Sequence, residues 1–503
     1  MVSGPAQTWE RVNVDFGYVG DKAKELASKP YQAPGSGNMP QWMKDLTYDQ
    51  YRDIRFRQGK SLWAADNLPF RLQLFHPGYL FKEPVTVNEC SATHSQQIRF
   101  TPEFFDYGSL IKERGEVPPE VGYAGVRMLA PLNHEGVFDE MIVFQGASYW
   151  RALGKEQRYG ISARGLAVDT GLDGPEEFPV FREFWLRKPE TGAKSLEWFA
   201  LMDSPSVTGA YWFTATPGDE TEVLVRAVVH ARREVRRFGI APMSSMFWFG
   251  ENSRRRFDDL RPEVHDSDGL AIRMGSGERI WRPLCNDSGR LDFSFFGMDG
   301  IAGFGLVQRD RRLAALEDDE VHYQDRPTLW IEPLNNWRNG RVMLMEIPTA
   351  HELSDNVVAM WEPAEVPKAG AALAFAYRQK WTKNPDPAAA GGHVVATRTG
   401  VHEWEPERRT VVVEFAGGRL AEIEAAKPPA AVVSLAAVCG ELKIKVDNQS
   451  VQRMDDGRWR VSMRLAPVKE GGKLADSSEI EMRCSLKAGD DYLTETWAYR
   501  IKP

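Results

Sequence analysis

The segment Phe257–Gly269 contains the densest group of side chains in the sequence that can transfer protons. Five carboxylates stand within thirteen residues, beside Arg261 and His265. The carboxylates are Asp258, Asp259, Glu263, Asp266 and Asp268. A loop of this composition can supply acids, bases and acceptors for sugar hydroxyl groups. A solvated charged loop without a chemical role is the alternative interpretation.

A second segment, Arg326–Gly340, combines aromatic rings with a carboxylate and two neighbouring amides. The residues concerned are Trp330, Glu332, Asn335, Asn336 and Trp337. The pattern places Trp330 in a strand that Pro333 ends, and the polar residues that follow predict a loop that carries Trp337 outward. A hairpin turn with a core tryptophan fits the same spacing.

Several other kinds of chemistry have no matching pattern in the sequence. There is no P-loop, no G-x-S-x-G elbow, no H-E-x-x-H and no dinucleotide fingerprint, which disfavours phosphoryl transfer, α/β-hydrolase and zinc-protease mechanisms. Asp266 and Asp268 alternate as at the start of a calcium loop, but the glycine and the distal glutamate of that loop are missing. We therefore expect neither a metal nor a cofactor.

The elements that position these residues are predicted to be mostly strands. Short β-rich runs such as 70–75, 223–229 and 411–415 are bounded by turn-forming residues, a pattern typical of an all-β fold. Two helices are expected near the start, over Asp21–Ser28 and, after Thr47 as a cap, over Tyr48–Ile54.

A change of composition at Glu362–Gly370 predicts a domain boundary at residue 365. Residues 1–365 hold too many strands for one ordinary sheet and are expected to form a large β-sandwich with an extended cleft. Residues 366–503 contain about seven strand-like runs, which suits an immunoglobulin-like β-sandwich. The segment 384–392 is expected to be a surface loop of that second domain.

The overall charge and hydropathy exclude some classes of partner. A net charge of -8 gives no global attraction for nucleic acid or anionic lipid. No window has the roughly 18 uninterrupted apolar residues of a membrane span. The 16 tryptophans either stack on sugar rings or fill large β cores. Cys439 and Cys484 are either bridged between two sheets or are free thiols.

The sequence resembles the periplasmic glucan biosynthesis family, proteins G and D, over nearly its whole length, with protein D as the nearer branch. The matching stretches are Phe16–Tyr18, Leu46–Phe56, Phe75–Gly78, Pro131–His134, Phe144–Tyr149, Tyr159–Ala167, Arg261–Leu270 and Gly305–Asp310. The resemblance implies a galactose-mutarotase-like N-terminal sandwich followed by the immunoglobulin-like domain. It also implies a periplasmic protein, and because Met1–Pro5 show no export signal, we expect a trimmed leader.

The resemblance further implies action on linear β-1,2-glucan with inversion of the anomeric centre, by internal hydrolysis or by transfer to a sugar hydroxyl, including cyclisation. The family reads Gly-Asp-Trp-Gly after the Trp-x-Glu-Pro strand, and we take that Asp to be the general acid. This chain has Asn336 at the position, beside a second departure at Asn335. An amide cannot donate the proton, so we expect an inactivating substitution of Asp, with a natively inactive homologue as the alternative.

The remaining roles are predicted as follows. The general base is Asp258 or Asp268, ahead of Asp259 and Asp266, and Glu332 holds the acid or a sugar hydroxyl. Arg261 and His265 are candidates to bind glucose hydroxyls, with a tether of its own loop as the alternative for His265. The candidate stacking platforms are Trp337, Trp330, Tyr323, Trp63 and Tyr18. A non-catalytic glucan carrier or scaffold is the rival function, and the oligomeric state stays open, with a homodimer as one option.

Overall fold

The computed structural model describes residues 10–36, 38–112, 114–286, 289–298, 300–335, 337–384, 391–469, 472 and 479–501. Helices are few among these residues, and strands dominate. The α-helices are α1 (Phe16–Ala27), α2 (Gln41–Lys44), α3 (Tyr48–Asp53) and α4 (Leu313–Leu316), and short 3₁₀ helices lie at Gln58–Lys60, Pro102–Phe104, Pro119–Val121, Arg254–Arg256, Tyr323–Asp325 and Gly418–Glu422. The predicted all-β fold is confirmed.

The strands run from the N-terminal region to residue 501. The first are β1 (Arg55–Phe56), β2 (Arg71–Phe75), β3 (Thr86–Cys90), β4 (Ser95–Gln97), β5 (Phe105–Asp106), β6 (Gly125–Ala130), β7 (Asp139–Gln145), β8 (Tyr149–Ala152), β9 (Ser162–Arg164), β10 (Ala167–Val168), β11 (Val180–Arg187), β12 (Leu196–Asp203), β13 (Val207–Thr216), β14 (Thr221–Ala231), β15 (Phe238–Ser245) and β16 (Phe247–Phe249). The next are β17 (Val264–His265), β18 (Gly269–Met274), β19 (Arg279–Pro283), β20 (Asp292–Met298), β21 (Ile301–Val307), β22 (Thr328–Pro333), β23 (Gly340–Glu346), β24 (Val357–Pro363) and β25 (Ala372–Thr382). The last are β26 (His393–Val401), β27 (Arg409–Ala416), β28 (Ala430–Ala437), β29 (Ile444–Arg453), β30 (Trp459–Pro467), β31 (Ile480–Ala488), β32 (Asp491–Tyr492) and β33 (Thr496–Ile501).

The described chain divides into two compact units. The first comprises the residues up to Ser244, with Ile331–Met343 and Met360–Thr382, and the second comprises Ser245–Trp330, Leu344–Ala359 and the residues from Lys383 onward. The two units are defined by which residues contact one another. The domain boundary that the sequence analysis places at residue 365 stays a prediction.

The first unit is a two-sheet sandwich. One sheet includes the order β2-β6-β7-β8-β9, and the other includes β25-β14-β13-β12-β11-β3-β4. Phe144 from β7 packs edge-to-face on Phe184, Trp198 and Phe213 of the other sheet, with centroid distances of 5.4 to 5.8 Å. These buried rings fill the space between the sheets, as alternating apolar residues in facing strands require.

Helix α1 packs on the second sheet of this unit and begins earlier than the sequence predicts. The side chain of Asp15 accepts a hydrogen bond from the amide of Tyr18 at 2.8 Å and caps the helix ahead of Asp21. Val19 and Ala23 are buried against the sheet. Helix α3 has the expected cap, because Thr47 and Gln50 form a reciprocal capping box.

The second unit contains the C-terminal sandwich. The sheet β26-β27-β30-β29 covers one side of its core, and the order β28-β31-β33-β19-β18-β21 forms part of the other sheet. Phe415, Trp459 and Trp497 lie fully buried in that core. The pairing of β33 with β19 is parallel, with Ile280 opposite Thr496. The two-sheet arrangement expected for the C-terminal residues is present, and one of its sheets also contains earlier strands.

The cysteines and the loop 384–392 complete the comparison with the sequence predictions. Cys90, Cys285 and Cys484 are buried free thiols, and Cys439 is an exposed free thiol. The free-thiol alternative is therefore correct, because Cys439 lies on the surface after β28 while Cys484 lies within β31. Of the predicted loop, residues 385–390 lie outside the described residues.

Candidate active site

A short hairpin and an apolar cluster position the carboxylate-rich loop in the second unit. β16 pairs with β17, so that Phe247 lies opposite His265 and the residues between the strands close a loop. Under this loop, a core cluster brings Phe249 and Val264 together with Leu316 and Tyr323. The paired strands therefore hold the two ends of the loop, and the apolar cluster packs against it.

Arg261 organises three carboxylates. Its Nε and Nη2 donate to the two oxygens of Asp259 at 3.0 and 2.9 Å. Its Nη1 donates to Asp318 Oδ2 and to Glu352 Oε2, each at 2.8 Å. The hydrogen bonds from Arg261 hold the pKa of Asp259 below its usual value. All of these hydrogen bonds join the Arg261 guanidinium to carboxylates. The expected contact of Arg261 with sugar hydroxyls stays a prediction.

Tyr323 connects two of the acidic residues in this region. Its hydroxyl donates to Glu352 Oε2 at 2.6 Å. The guanidinium of Arg326 lies 4.2 Å from the centre of the Tyr323 ring and forms an ion pair with Asp266. Burial and the hydrogen bond to Glu352 raise the pKa of Tyr323. We call Asp259, Arg261, Asp266, Asp318, Tyr323, Arg326 and Glu352 the Tyr323 cluster.

His265 belongs to a buried network next to this cluster. Its Nε2 lies 2.9 Å from Glu263 Oε2, and its Nδ1 lies 2.8 Å from Gln308 Oε1. Burial by itself would lower the pKa of His265, but the hydrogen bond and charge of Glu263 outweigh burial and raise the pKa to about 9. Both ring nitrogens are occupied and the side chain is fully buried, which favours the tether over a sugar contact.

The two predicted bases have different surroundings. Asp258 is an exposed loop residue. Asp268 accepts hydrogen bonds from the backbone amides of Arg309 and Asp310 at 3.0 to 3.1 Å. Burial raises the pKa of the Asp268 carboxyl, against the opposing charge of His265. The backbone amides thus fix the position of Asp268, whereas Asp258 stands at the protein surface.

A cavity of about 930 Å³ in the second unit is lined by Asp268 together with Glu251 and Glu263. Arginines also line it, namely Arg309, Arg311, Arg312, Arg398 and Arg458. Burial, with the charge of Glu263, raises the pKa of Glu251 to about 8. However, Glu251 Oε1 accepts the amide of Thr397 at 2.8 Å, so each of the three carboxylates is held by a hydrogen bond within the protein.

The predicted acid position, Asn336, lies outside the described residues. Its sequence neighbours Asn335 and Trp337 belong to the first unit. Asn335 Oδ1 accepts hydrogen bonds from the amide of Ala376 at 3.0 Å and from Trp337 Nε1 at 2.9 Å. Trp337 stacks on Trp361 at 6.1 Å and is only 6 % exposed. The prediction that this loop carries Trp337 outward is wrong, because the indole is packed against a neighbouring strand.

Glu332 also belongs to the first unit. Its carboxylate forms ion pairs with Arg378 at 3.2 Å and with Lys380 at 3.4 Å, both on β25. Cross-strand neighbours thus neutralise the Glu332 carboxylate. A catalytic role for Glu332 stays a prediction.

The other candidate platforms are packed inside the protein or against other rings. Trp330 is 1 % exposed in the core of the second unit. Trp63 is 4 % exposed, and its Nε1 donates to Glu89 at 2.7 Å. Tyr18 is half-buried and meets Trp185 edge-to-face at 6.1 Å. Tyr323 is also buried, with only 2 % exposed, which favours core packing over its predicted role as a stacking platform. Glu352 joins Tyr323 to Arg261, whereas Trp330, Trp63 and Tyr18 belong to other packing groups.

Sequence reasoning missed two carboxylates of the Tyr323 cluster. Glu352 stands 91 residues from Arg261, and Asp318 stands 57 residues from it. No local spacing joins positions so far apart, and only the folded chain brings these loop residues together. The acidic runs around Asp318 and the His-Glu pair at 351–352 were the available signals.

Metal-binding and membrane-spanning features are both lacking from the part of the chain that the structure describes. Those residues contain no group of His, Cys, Asp and Glu that could hold a metal ion. Among the same residues, no helix has the length and apolar character needed to cross a membrane.

Comparison with known proteins identifies relatives along the whole chain. The profile of the family described as "Periplasmic glucan biosynthesis protein, MdoG" matches residues 14–501. Glucans biosynthesis protein G of Ralstonia nicotianae is 43% identical over 495 residues, which cover 96% of this chain and 95% of the relative. A protein of the same name from Rhodopseudomonas palustris is 41% identical over 503 residues, 99% of this chain and 96% of the relative.

A third relative carries the other name of the family. The probable glucans biosynthesis protein D of Shewanella oneidensis is 38% identical over 507 residues, which cover 100% of this chain and 91% of the relative. Names of both types, G and D, therefore occur among full-length relatives. The chain belongs to the MdoG family of periplasmic glucan biosynthesis proteins.

Proposed function

We propose that this protein acts in the periplasm on linear β-1,2-glucan with inversion of the anomeric centre. The reaction is internal hydrolysis when water is the acceptor, and transglycosylation or cyclisation when a sugar hydroxyl takes its place. The membership of the family supports the glucan as substrate. The Tyr323 cluster is the observation that carries the catalytic part of the proposal.

An inverting glycosidase needs one carboxylic acid for the leaving oxygen and one carboxylate for the incoming oxygen. We assign the second of these to Glu352 of the Tyr323 cluster. The side chain of Glu352 is 31% exposed. Its Oε2 accepts a hydrogen bond from the Tyr323 hydroxyl at 2.6 Å. Because Tyr323 is only 2 % exposed, the incoming hydroxyl gives its proton to Glu352 itself, and the Tyr323 hydroxyl holds that carboxylate in place.

Charge in the cluster keeps Tyr323 in the position from which it donates to Glu352. The guanidinium of Arg326 lies over the Tyr323 ring. The ion pair between Arg326 and Asp266 fixes the position of that guanidinium. Asp258 and Asp268 remain the alternatives for the base.

We assign the general acid to position 336, where this chain has the amide Asn336. If the chain is active as it stands, another carboxyl must protonate the leaving oxygen. Asp355 is exposed and lies on the same loop as Glu352. It precedes Asn356, whose side chain bonds to the backbone of Phe247 and Ile347 at 2.8 to 2.9 Å. The loop end is therefore anchored, and Asp355 is the second candidate for the acid.

The test compares the protein, its Asn336→Asp variant and a Glu352→Gln variant of each on linear β-1,2-glucan. We expect Asn336→Asp to consume the polymer, and Glu352→Gln to abolish consumption. Shorter chains with new reducing ends indicate hydrolysis, and products without a reducing end indicate cyclisation. An unchanged polymer with Asn336→Asp contradicts the acid assignment, and full activity of Glu352→Gln contradicts the base assignment.

The amide at position 336 favours a second candidate function. A chain that binds glucan without cleaving it acts as a carrier or scaffold. Binding of linear β-1,2-glucan together with no turnover, in both the parent chain and its Asn336→Asp variant, would support the carrier and overturn catalysis.

A further inference from the structure

The strand β28 (Ala430–Ala437) lies at an edge of its sheet in the second unit. It pairs with β31 on one side, and none of the described residues forms a ladder with its other side. Such an edge presents a row of amide and carbonyl groups that can pair with a further strand. The edge of β28 is therefore open to strand addition.

The sequence of β28 lacks the features that usually protect such an edge. It reads Ala-Ala-Val-Val-Ser-Leu-Ala-Ala, with no charged residue, proline or glycine. Edge strands of soluble proteins are normally very short, charged, bulged or interrupted by proline. An uncharged edge of this length is therefore suited to pairing with another strand.

The other sheet of the same sandwich has the usual protection. β29 is the last strand of the order β26-β27-β30-β29, and it carries Lys445, Asp447 and Arg453. Its register with β30 also shifts between Val446 and Asn448, as at a β-bulge. Both features discourage strand addition at β29. The unprotected edge is thus specific to β28 and is not common to the edges of this sandwich.

The hydrogen bonds of β31 identify which backbone groups of β28 point outward. The amide of Val438 donates to the Glu479 carbonyl, on the β31 side. Leu486, which lies opposite Ala431, instead accepts from the amide of Leu493, on the side away from β28. Inward and outward groups alternate along an antiparallel strand. The outward amides and carbonyls therefore belong to Ala431, Val433, Leu435 and Ala437.

This edge is complementary to a second copy of itself in the antiparallel direction. With Ser434 on a twofold axis, Val433 lies opposite Leu435 of the second copy, and Ala431 lies opposite Ala437. Residues of one copy then meet their counterparts symmetrically, as a twofold interface requires. Every outward amide and carbonyl of one strand meets an outward group of the other.

The ends of the strand disfavour the neighbouring registers. A shift of the register in one direction places Ala437 opposite Pro429, which has no amide hydrogen to donate. The same shift in the other direction places Ala431 opposite Cys439, which lies beyond the end of the strand. The register centred on Ser434 is therefore the one that uses the whole edge.

The register centred on Ser434 also matches charges and covers apolar side chains. Along it, Lys427 of one copy comes level with Glu441 of the other, so opposite charges meet at both ends. Ala431, Val433 and Leu435 pack against the core of the sandwich but are only partly buried. A second strand beside them removes more of their apolar surface from water.

We propose that β28 is a dimerisation edge, at which a second copy of this chain adds its own β28 in antiparallel orientation with Ser434 on the twofold axis. Both copies use the same edge, so the pairing closes at a dimer and leaves no β28 edge open. The proposal concerns the second unit alone and does not depend on the proposed function.

The first test measures the oligomeric state of the whole chain by sedimentation velocity over a series of protein concentrations. We expect a dimer, and we expect Ser434→Lys to raise its Kd by about tenfold, because two like charges then meet on the axis. Ser450→Lys is the matched control, since Ser450 is an exposed serine in the edge strand β29. A monomer at every concentration, or equal effects of the two variants, overturns the proposal.

The second test examines the register by cross-linking. The two Ser434 residues form a non-hydrogen-bonded pair across the axis, in which the Cα atoms lie about 4.5 Å apart, within the range that a disulfide spans. In a Cys439→Ser background, Ser434→Cys should form a covalent dimer on mild oxidation, and Ser450→Cys should not. No cross-link at position 434, or an equal yield at position 450, overturns the proposed pairing.

Discussion

Arg261 joins three carboxylates from separate parts of the second unit, and the side chain is only 15% exposed. Replacing it by methionine keeps most of the apolar stem and removes the positive charge. We expect Arg261→Met to lower the free energy of unfolding by about 3 kcal/mol, because three carboxylates are then left together without their partner.

Chemical denaturation measures this effect, and a surface ion pair provides its control. Arg312 pairs with Asp310 and has 77% of its side chain exposed. Arg312→Met should change the free energy of unfolding by less than about 1 kcal/mol. Equal losses in the two variants would contradict the central position given to Arg261.

The Tyr323 hydroxyl is predicted to position Glu352, and this role can be separated from the packing of its ring. Tyr323→Phe removes the hydrogen bond to Glu352 and keeps the ring beneath Arg326. In whichever form of the chain consumes glucan, we expect kcat to fall by about tenfold, because the base loses one hydrogen bond. The free energy of unfolding should change by only about 1 kcal/mol. A kcat within twofold of the parent would show that Tyr323 does not position Glu352.

The pH dependence of stability follows from Glu251. Burial, helped by the charge of Glu263, raises its folded-state pKa to about 8 from the usual 4.5. The folded protein therefore keeps a proton that the unfolded chain loses, and this contribution to stability falls as the pH rises from 4.5 to 8. His265 acts in the same direction over a higher range, since its raised pKa means that stability is lost between pH 6.5 and about 9.

Glu251→Gln isolates the first of these effects. The amide oxygen can still accept the amide proton of Thr397, and the side chain no longer titrates. We expect the free energy of unfolding to decline less between about pH 5 and pH 8 in the variant than in the parent. The difference can reach about 1.4 kcal/mol per pH unit. Parallel pH curves would show that Glu251 titrates normally.

At the scale of elements, local sequence patterns predicted strands well and the orientation of loop residues poorly. The runs at 223–229 and 411–415 lie within β14 and β27, because alternating apolar residues bounded by turns reflect a local property of the chain. The inward turn of Trp337 depends on Trp361 and Tyr377, which come from other strands. Its burial could not be read from the loop sequence alone.

In the candidate site, too, the sequence indicated individual residues but not their long-range partners. Arg261 and Tyr323 were both chosen from sequence, and the structure joins them through Glu352. Their partner was missed because long-range contacts across strands leave no spacing signal. The tether assigned as the alternative for His265 agrees with its two hydrogen bonds.

Asn335 fixes the loop that precedes Trp337 to β25. Its Oδ1 accepts from the Ala376 amide and from the Trp337 indole. We expect Asn335→Ala to speed hydrogen exchange at the Ala376 amide severalfold, because that donor loses its acceptor. Site-resolved exchange measures this directly, and an unchanged Ala376 rate would show that the amide is protected by other means.

At the scale of the whole chain, the C-terminal sandwich depends on earlier strands of its own unit. β33 pairs in parallel with β19, and Trp281 from β19 belongs to the same core as Trp497. We expect an isolated fragment of residues 366–503 to lack a cooperative thermal transition, because it loses this strand and its core contact. A cooperative transition with native-like near-ultraviolet dichroism would instead support the domain boundary at residue 365.

The first unit combines strands that are far apart in the sequence, and this has a consequence for the order in which it can fold. β14 pairs with β25 along its length, from Thr221 opposite Trp381 to His230 opposite Ala372. While the chain is being synthesised or threaded through a pore, that edge of β14 stays open until residues 372–382 emerge. Premature collapse would leave an unpaired strand edge available to other chains. Holding the newly made polypeptide in an unfolded state until most of it is available avoids this hazard.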